Sequence, residues 1–179
     1  VKNDISPDSK YVTKSRIWSG IFLVFFAITN STSSWDWLMS VEPHWFSTLF
    51  AWYIFAGLFL AGIATIIIIL AMLRSMGYMQ HVRKEHIHDL GKYLFGISIF
   101  WIYLWFSQYM LIWYGNIPEE TVYYVRRLQD FPVIFYLNII LNFAIPFLVL
   151  QPRSFVRSLR VLTIVSVIVL AGQWLNLYL

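Results

Sequence analysis

The sequence predicts an all-α membrane protein, a polytopic bundle of about five spanning helices. Three observations predict it. Hydrophobic residues make up 59% of the 179 and charged residues only 12%, whereas a soluble domain is about a quarter charged because water must wet its surface. The apolar residues gather in continuous runs rather than alternating, and in lipid only helices or closed barrels satisfy every backbone group. The basic residues, finally, fall into alternate connections.

Residues 1–16 form a polar lead-in with Lys2, Asp4, Asp8, Lys10, Lys14 and Arg16, too long and too acidic for a signal peptide. The first run, Ile17–Thr32, is the shortest and can extend into the Ser/Thr-rich stretch Thr29–Ser34. The second, Trp45–Leu73, follows Pro43 and is long enough to tilt; Gly57, Ala61 and Ala64 give it a small-residue face for close packing. Leu90–Tyr114, Phe131–Leu150 and Val161–Leu179 complete the set. The chain starts at Val1 and stops inside its last apolar run, which reads as part of a longer chain.

Lys and Arg counts test this division, because cytoplasmic connections hold the excess. Lys2, Lys10, Lys14 and Arg16 precede the first run; Arg74, Arg83, Lys84 and Lys92 lie between the second and third; Arg153, Arg157 and Arg160 lie between the fourth and fifth. The other two connections hold only Arg126 and Arg127, with the acids Asp36, Glu42, Glu119, Glu120 and Asp130. The N-terminus is therefore expected in the cytoplasm. The basic residues serve as orientation signals at helix ends, so the net charge of +4 does not indicate nucleic acid.

The chain contains no cysteine, which excludes a disulfide, a thiolate metal site, a thiol nucleophile and a cysteine-held iron–sulfur cluster. Haem between helices needs axial ligands at membrane depth, but His44, His81, His86 and His88 all lie at boundaries or in a connection. The last three lack a complementary carboxylate set, so no metal site is expected. There is no phosphate-cradling glycine motif and no serine-based catalytic arrangement.

Four groups of polar residues have candidate roles. Asp36, Glu42 and His44 stand among Trp35, Trp37 and Trp45 at a membrane boundary. Interfacial Trp rings account for that density by themselves, whereas the acids and the imidazole also suit proton exchange. At the entry to the third run, beside His88, Asp89 and Lys92 begin a helical face that continues through Gly96, Tyr103, Ser107 and Tyr114. That face serves either helix packing or a water-completed proton path. Asn138, Asn142 and Pro146 recur every four residues on one face of the fourth helix, where Pro146 leaves the Asn142 carbonyl without its helical partner. Gln173 and Asn176, near the end of the fifth, can hold a polar headgroup or quinone but cannot exchange protons at ordinary pH.

The stretches from Trp35 to Phe50, His88–Asp89–Leu90–Gly91–Lys92, Phe106–Ser107–Gln108–Tyr109 and Trp113–Tyr114–Gly115–Asn116–Ile117–Pro118–Glu119–Glu120 resemble the F subunits of bacterial alternative complex III. The similarity covers most of residues 30–125 and continues more weakly through Gly172–Gln173–Trp174. This resemblance implies a subunit of the polysulfide-reductase membrane-anchor type, with about ten helices in the whole chain, in a respiratory quinol-oxidising complex of the bacterial inner membrane. Quinol would be the complex's substrate, with haem c and iron–sulfur clusters on partner subunits and no cofactor bound by this chain. The partners implied are a related large membrane subunit, an iron–sulfur subunit and multi-haem cytochrome c subunits, all within the lipid bilayer. The resemblance further implies a scaffold role and a proton path through Asp36, His44, His88, Asp89, Lys92, Glu119 and Glu120. A purely structural membrane subunit and an independent secondary transporter are the alternatives. The latter would need a broken helix at mid-depth, to which only Pro146 points.

Overall fold

A computed structural model describes residues 9–42 and 45–179, which divide into two compact units at the 43–44 boundary. Every regular element among the described residues is helical. Five helices are long and apolar enough to cross a membrane.

In the first unit, α1 runs over Ser9–Ser33 and continues through a π-helical turn, Ser34–Leu38, and a 3-10 turn, Met39–Val41. Helix thus begins two turns before the expected Ile17 and takes in the whole Ser/Thr-rich stretch. The hydroxyls explain why that stretch stays helical. Thr29, Ser31, Thr32 and Ser34 each donate to the carbonyl four residues earlier, so these four hydroxyls are not stranded in an apolar medium.

The second unit contains α2 (Leu49–Ser75), α3 (Lys84–Gly115), α4 (Pro118–Asp130), α5 (Pro132–Ile139), α6 (Ile145–Val149), α7 (Arg153–Val156) and α8 (Leu159–Tyr178). At 1.5 Å per residue α2 is about 40 Å long, more than a hydrocarbon core of about 30 Å requires. It is the central helix, packing chiefly on α3 and α8. Ala56, Leu60, Ala64 and Ile67 are fully buried on it, the small residues letting backbones approach where lipid supplies no hydrophobic drive.

Side-chain pairs fix the topology. Ser47 meets Gln108 while Tyr53 meets Trp101, so α2 and α3 are antiparallel; Tyr53 meets Asn176 while Gly57 meets Gln173, so α2 and α8 are antiparallel too. One end of the bundle therefore carries the connections 76–83 and 150–158, with Arg83, Arg153 and Arg157, and is its basic end. The opposite end carries 45–48 and α4.

Two departures from the expected elements have local causes. The helix of Pro132–Val149 contains a π-helical turn, Ile140–Ala144, in which the Ile145 amide donates to the Ile140 carbonyl. That extra residue in the turn lies immediately before Pro146, whose missing N–H and ring cannot fit an unbroken α-helical ladder. The backbone stays helical throughout. The second departure is α4, where the sequence reading placed only a connection. Pro118 at its first turn, Glu119 and Glu120 at the positive end of the helix dipole, and Arg127 in its last turn all favour this helix.

Candidate buried amide site

The polar interior of the second unit begins at Tyr53, one turn into α2. Its hydroxyl donates to Asn176 Oδ1 on α8, which also accepts from Asn138 Nδ2 at 3.2 Å. Asn142 Nδ2 lies 2.6 Å from Asn138 Oδ1 and 3.0 Å from the Asn138 carbonyl, and Gln173 Nε2 donates to Asn142 Oδ1 at 2.9 Å. A hydrogen-bonded chain thus runs Tyr53–Asn176–Asn138–Asn142–Gln173 across α2, α8 and the π-bulged helix. Asn142, its fourth member, is fully buried. The π turn matters here because it sets the facing of Asn142 relative to Asn138, one turn earlier.

Two glycines make the site possible. A Cβ on Gly172 would lie 2.7 to 2.8 Å from three atoms of the Asn142 amide, and one on Gly57 would lie 2.7 Å from Gln173 Oε1. The Gly57 position is also 3.7 Å from Trp101 Nε1, a fully buried indole nitrogen without a hydrogen-bond partner. Because the Gly57 clash is with the outer end of Gln173 while the Gly172 clash is with a doubly anchored amide, Gly57→Ala should cost less. About 1 kcal/mol is expected, and thermal unfolding in detergent would show it as a smaller loss than for Gly172→Ala.

Chemically, the four amides of this site hold and orient. Amides neither gain nor lose a proton at ordinary pH. The buried side chains Ser34, Ser98, Gln108, Asn138, Asn142, Ser166 and Gln173 are likewise neutral.

The titratable candidates lie elsewhere. His88, Asp89 and Lys92 stand together near the basic end, with Lys92 Nζ 3.6 Å and His88 Nδ1 4.0 Å from Asp89 Oδ1. Asp89, Lys92, Gly96, Tyr103 and Tyr114 are exposed and Ser107 is half-buried, so the polar face of α3 looks outward from the bundle. Glu119 and Glu120 occupy the first turn of α4. Asp36 and Glu42 are exposed in the first unit, and His44 lies outside the described residues.

α4 is held by aromatic contacts. Trp45 stacks on Tyr123 with centroids 4.2 Å apart, and Tyr124 packs edge-on against Tyr109 and Phe135. Arg127 sits 3.4 Å over the Tyr123 ring and donates to the Tyr123 carbonyl. Burial pushes the Tyr123 and Tyr124 phenols above their ordinary range, outweighing the lowering effect of Arg127. Both therefore stay protonated.

Sequence reasoning grouped Asn138 with Asn142 and Gln173 with Asn176, but not the pairs with each other, nor either with Tyr53, Gly172 or Trp101. The i, i+4 amides adjacent to Pro146 were the available signal for a polar helix contact. No spacing rule connects them to helices 30 or 120 residues away. The chain matches no protein-family model and no curated protein.

Proposed function

We propose that the chain is an integral membrane subunit of a respiratory quinol-oxidising assembly of the alternative complex III type, acting as scaffold and proton-path element in a bacterial inner membrane. The observation that carries the subunit reading is the outward polar face of α3. A spanning helix that exposes Gly96 and Tyr103 to hydrocarbon would leave a hydroxyl unmet, a cost that a covering membrane helix removes. The four sequence stretches that resemble the F subunits supply the particular assembly. Arg74, Arg83, Arg153, Arg157 and Arg160 at the basic end support its cytoplasmic placement. Quinol oxidation, haem c and iron–sulfur chemistry belong in this reading to partner subunits.

A purely structural role is the second reading, and the neutral interior favours it. Among the described residues no buried carboxylate, imidazole or ammonium is present to relay protons through this bundle's core. A path through Asp89 would instead follow the outward face of α3, completed by the partner that covers it.

Gentle purification through a tag on this chain, followed by mass spectrometry and a haem spectrum, tests the assembly. Recovery of a multi-haem cytochrome, an iron–sulfur protein and a related membrane subunit is expected; recovery of this chain alone from an active preparation would refute the reading. Asp89→Asn distinguishes the two roles. Asp89→Asn keeps the size and hydrogen-bonding capacity of the side chain and removes only its charge, so assembly should suffer less than turnover. Proton-coupled turnover should fall by about tenfold or more if Asp89 carries protons, general acid–base groups contributing about 10²–10⁴-fold. Full turnover and full coupling in that variant would leave only the scaffold.

A further inference from the structure

A cleft of about 520 Å³ opens between the last two turns of α3 and α4. Asn116, in the left-handed conformation at φ 47°, turns the chain there; Asn tolerates this conformation better than other residues with a side chain. Tyr109, Trp113, Asn116 and Tyr124 line the cleft and each carries an N–H or O–H donor. None of these four side chains donates to another described residue. No charged side chain lines the cleft, and the nearby Arg127 guanidinium is engaged by the ring and carbonyl of Tyr123.

We propose that this cleft seats the ester-linked glycerol region of one membrane lipid, its ester carbonyls accepting hydrogen bonds from the four uncharged donors.

Composition selects the carbonyl. A phosphate or ammonium headgroup would call for charge in the wall, whereas a wall of unpaired neutral donors with aliphatic neighbours calls for an uncharged acceptor on an apolar body. Depth selects the glycerol region. Tyr109 lies six residues before Gly115, so the cleft reaches about 9 Å from the helix end. The interfacial layer between water and hydrocarbon is about 5–7 Å thick on each side of a bilayer, and the ester groups lie within it. The aromatic rings suit the same layer, where an apolar body and a polar edge are both accommodated. Because burial holds the Tyr124 phenol protonated, it donates over the working pH range. The inference stands whether or not the chain belongs to a respiratory assembly.

The test is competitive retention. The full chain, with any subunits that accompany it, is reconstituted with equal amounts of diester and diether phosphatidylcholine of matched chain length, stripped with detergent, and weighed intact by native mass spectrometry. Retention of one diester lipid over the diether by about fivefold or more is expected, the factor that one net hydrogen bond supplies. Tyr109→Phe/Tyr124→Phe keeps both rings and should abolish the preference with an unchanged helical spectrum. Trp113→Phe, at a position 62% exposed, should reduce it in a fold that cannot depend on burial there. Equal retention of both lipids, no retained lipid, or an unaltered preference in the correctly folded variants would overturn the proposal. So would displacement of the diester lipid by an added isoprenoid quinone in the parent protein but not in the variants, which would assign the donors to a different carbonyl ligand.

Discussion

Replacing Gly172 with alanine should lower the stability of the bundle by about 2–4 kcal/mol. The new Cβ would lie 2.7 Å from Asn142 Nδ2 and 2.8 Å from both Cγ and Oδ1. Contacts this short require one of the two helices to move. Asn142 cannot swing aside cheaply, because its Nδ2 is held by Asn138 and its Oδ1 by Gln173. Separating α8 from the bulged helix would instead stretch those bonds and also the Asn138–Asn176 bond one turn away. Thermal unfolding in a mild detergent measures the loss. The steric cause makes a second prediction: Asn142→Ala removes the atoms that the methyl meets, so the double variant should be less damaged than the sum of the two single ones. Strict additivity would show that the methyl acts elsewhere.

The same site shows what could be read in advance. Membrane helices are legible because lipid imposes one rule on every residue of a span, and the five spans follow from length and apolar content. Their ends were less legible. Trp45 reads as the start of the second helix, yet regular helix begins at Leu49, because the Trp45 ring stacks on Tyr123 of α4 and its backbone is drawn out of the helical ladder. The helix α4 itself escaped notice since its polar turns resemble a loop in composition and only an amphipathic period distinguishes them. In the candidate site, Asn138 and Asn142 were legible as neighbours because an i, i+4 relation is local. Tyr53 was not, since nothing in an aromatic-rich run of α2 distinguishes a tyrosine whose hydroxyl is bonded across the bundle from one that faces lipid. Nor could the polar face of α3 be assigned a direction: periodicity shows that Asp89, Lys92, Gly96 and Tyr103 share a side, but the side they face depends on where α2 and the π-bulged helix pack.

Asn142→Leu should be the second most damaging of these changes, at about 1–3 kcal/mol. Two effects oppose one another in setting that size. Leucine repeats asparagine's branched four-atom skeleton with bulkier methyls and suits a hydrocarbon interior, so removing a polar group from a fully buried site is favourable in itself. Its removal, however, strands Gln173 Nε2 and takes one donor from Asn138 Oδ1, and Gln173 has no alternative acceptor given among its described hydrogen bonds. A buried unmet donor costs about 1–3 kcal/mol. Interhelical hydrogen bonds in membranes average nearer 0.6 kcal/mol, because side chains in the unfolded, inserted state also find partners. The stranded groups should therefore prevail, by less than the same change would cost in a water-soluble core. Gln173→Leu in the same background separates the terms: with both amides gone, Tyr53, Asn176 and Asn138 remain of the chain, and they still bond one another. Unfolding of Asn142→Leu/Gln173→Leu at a higher temperature than Asn142→Leu alone is the expected result. A lower one would mean that Gln173 contributes through packing against Gly57 rather than through the hydrogen bond to Asn142.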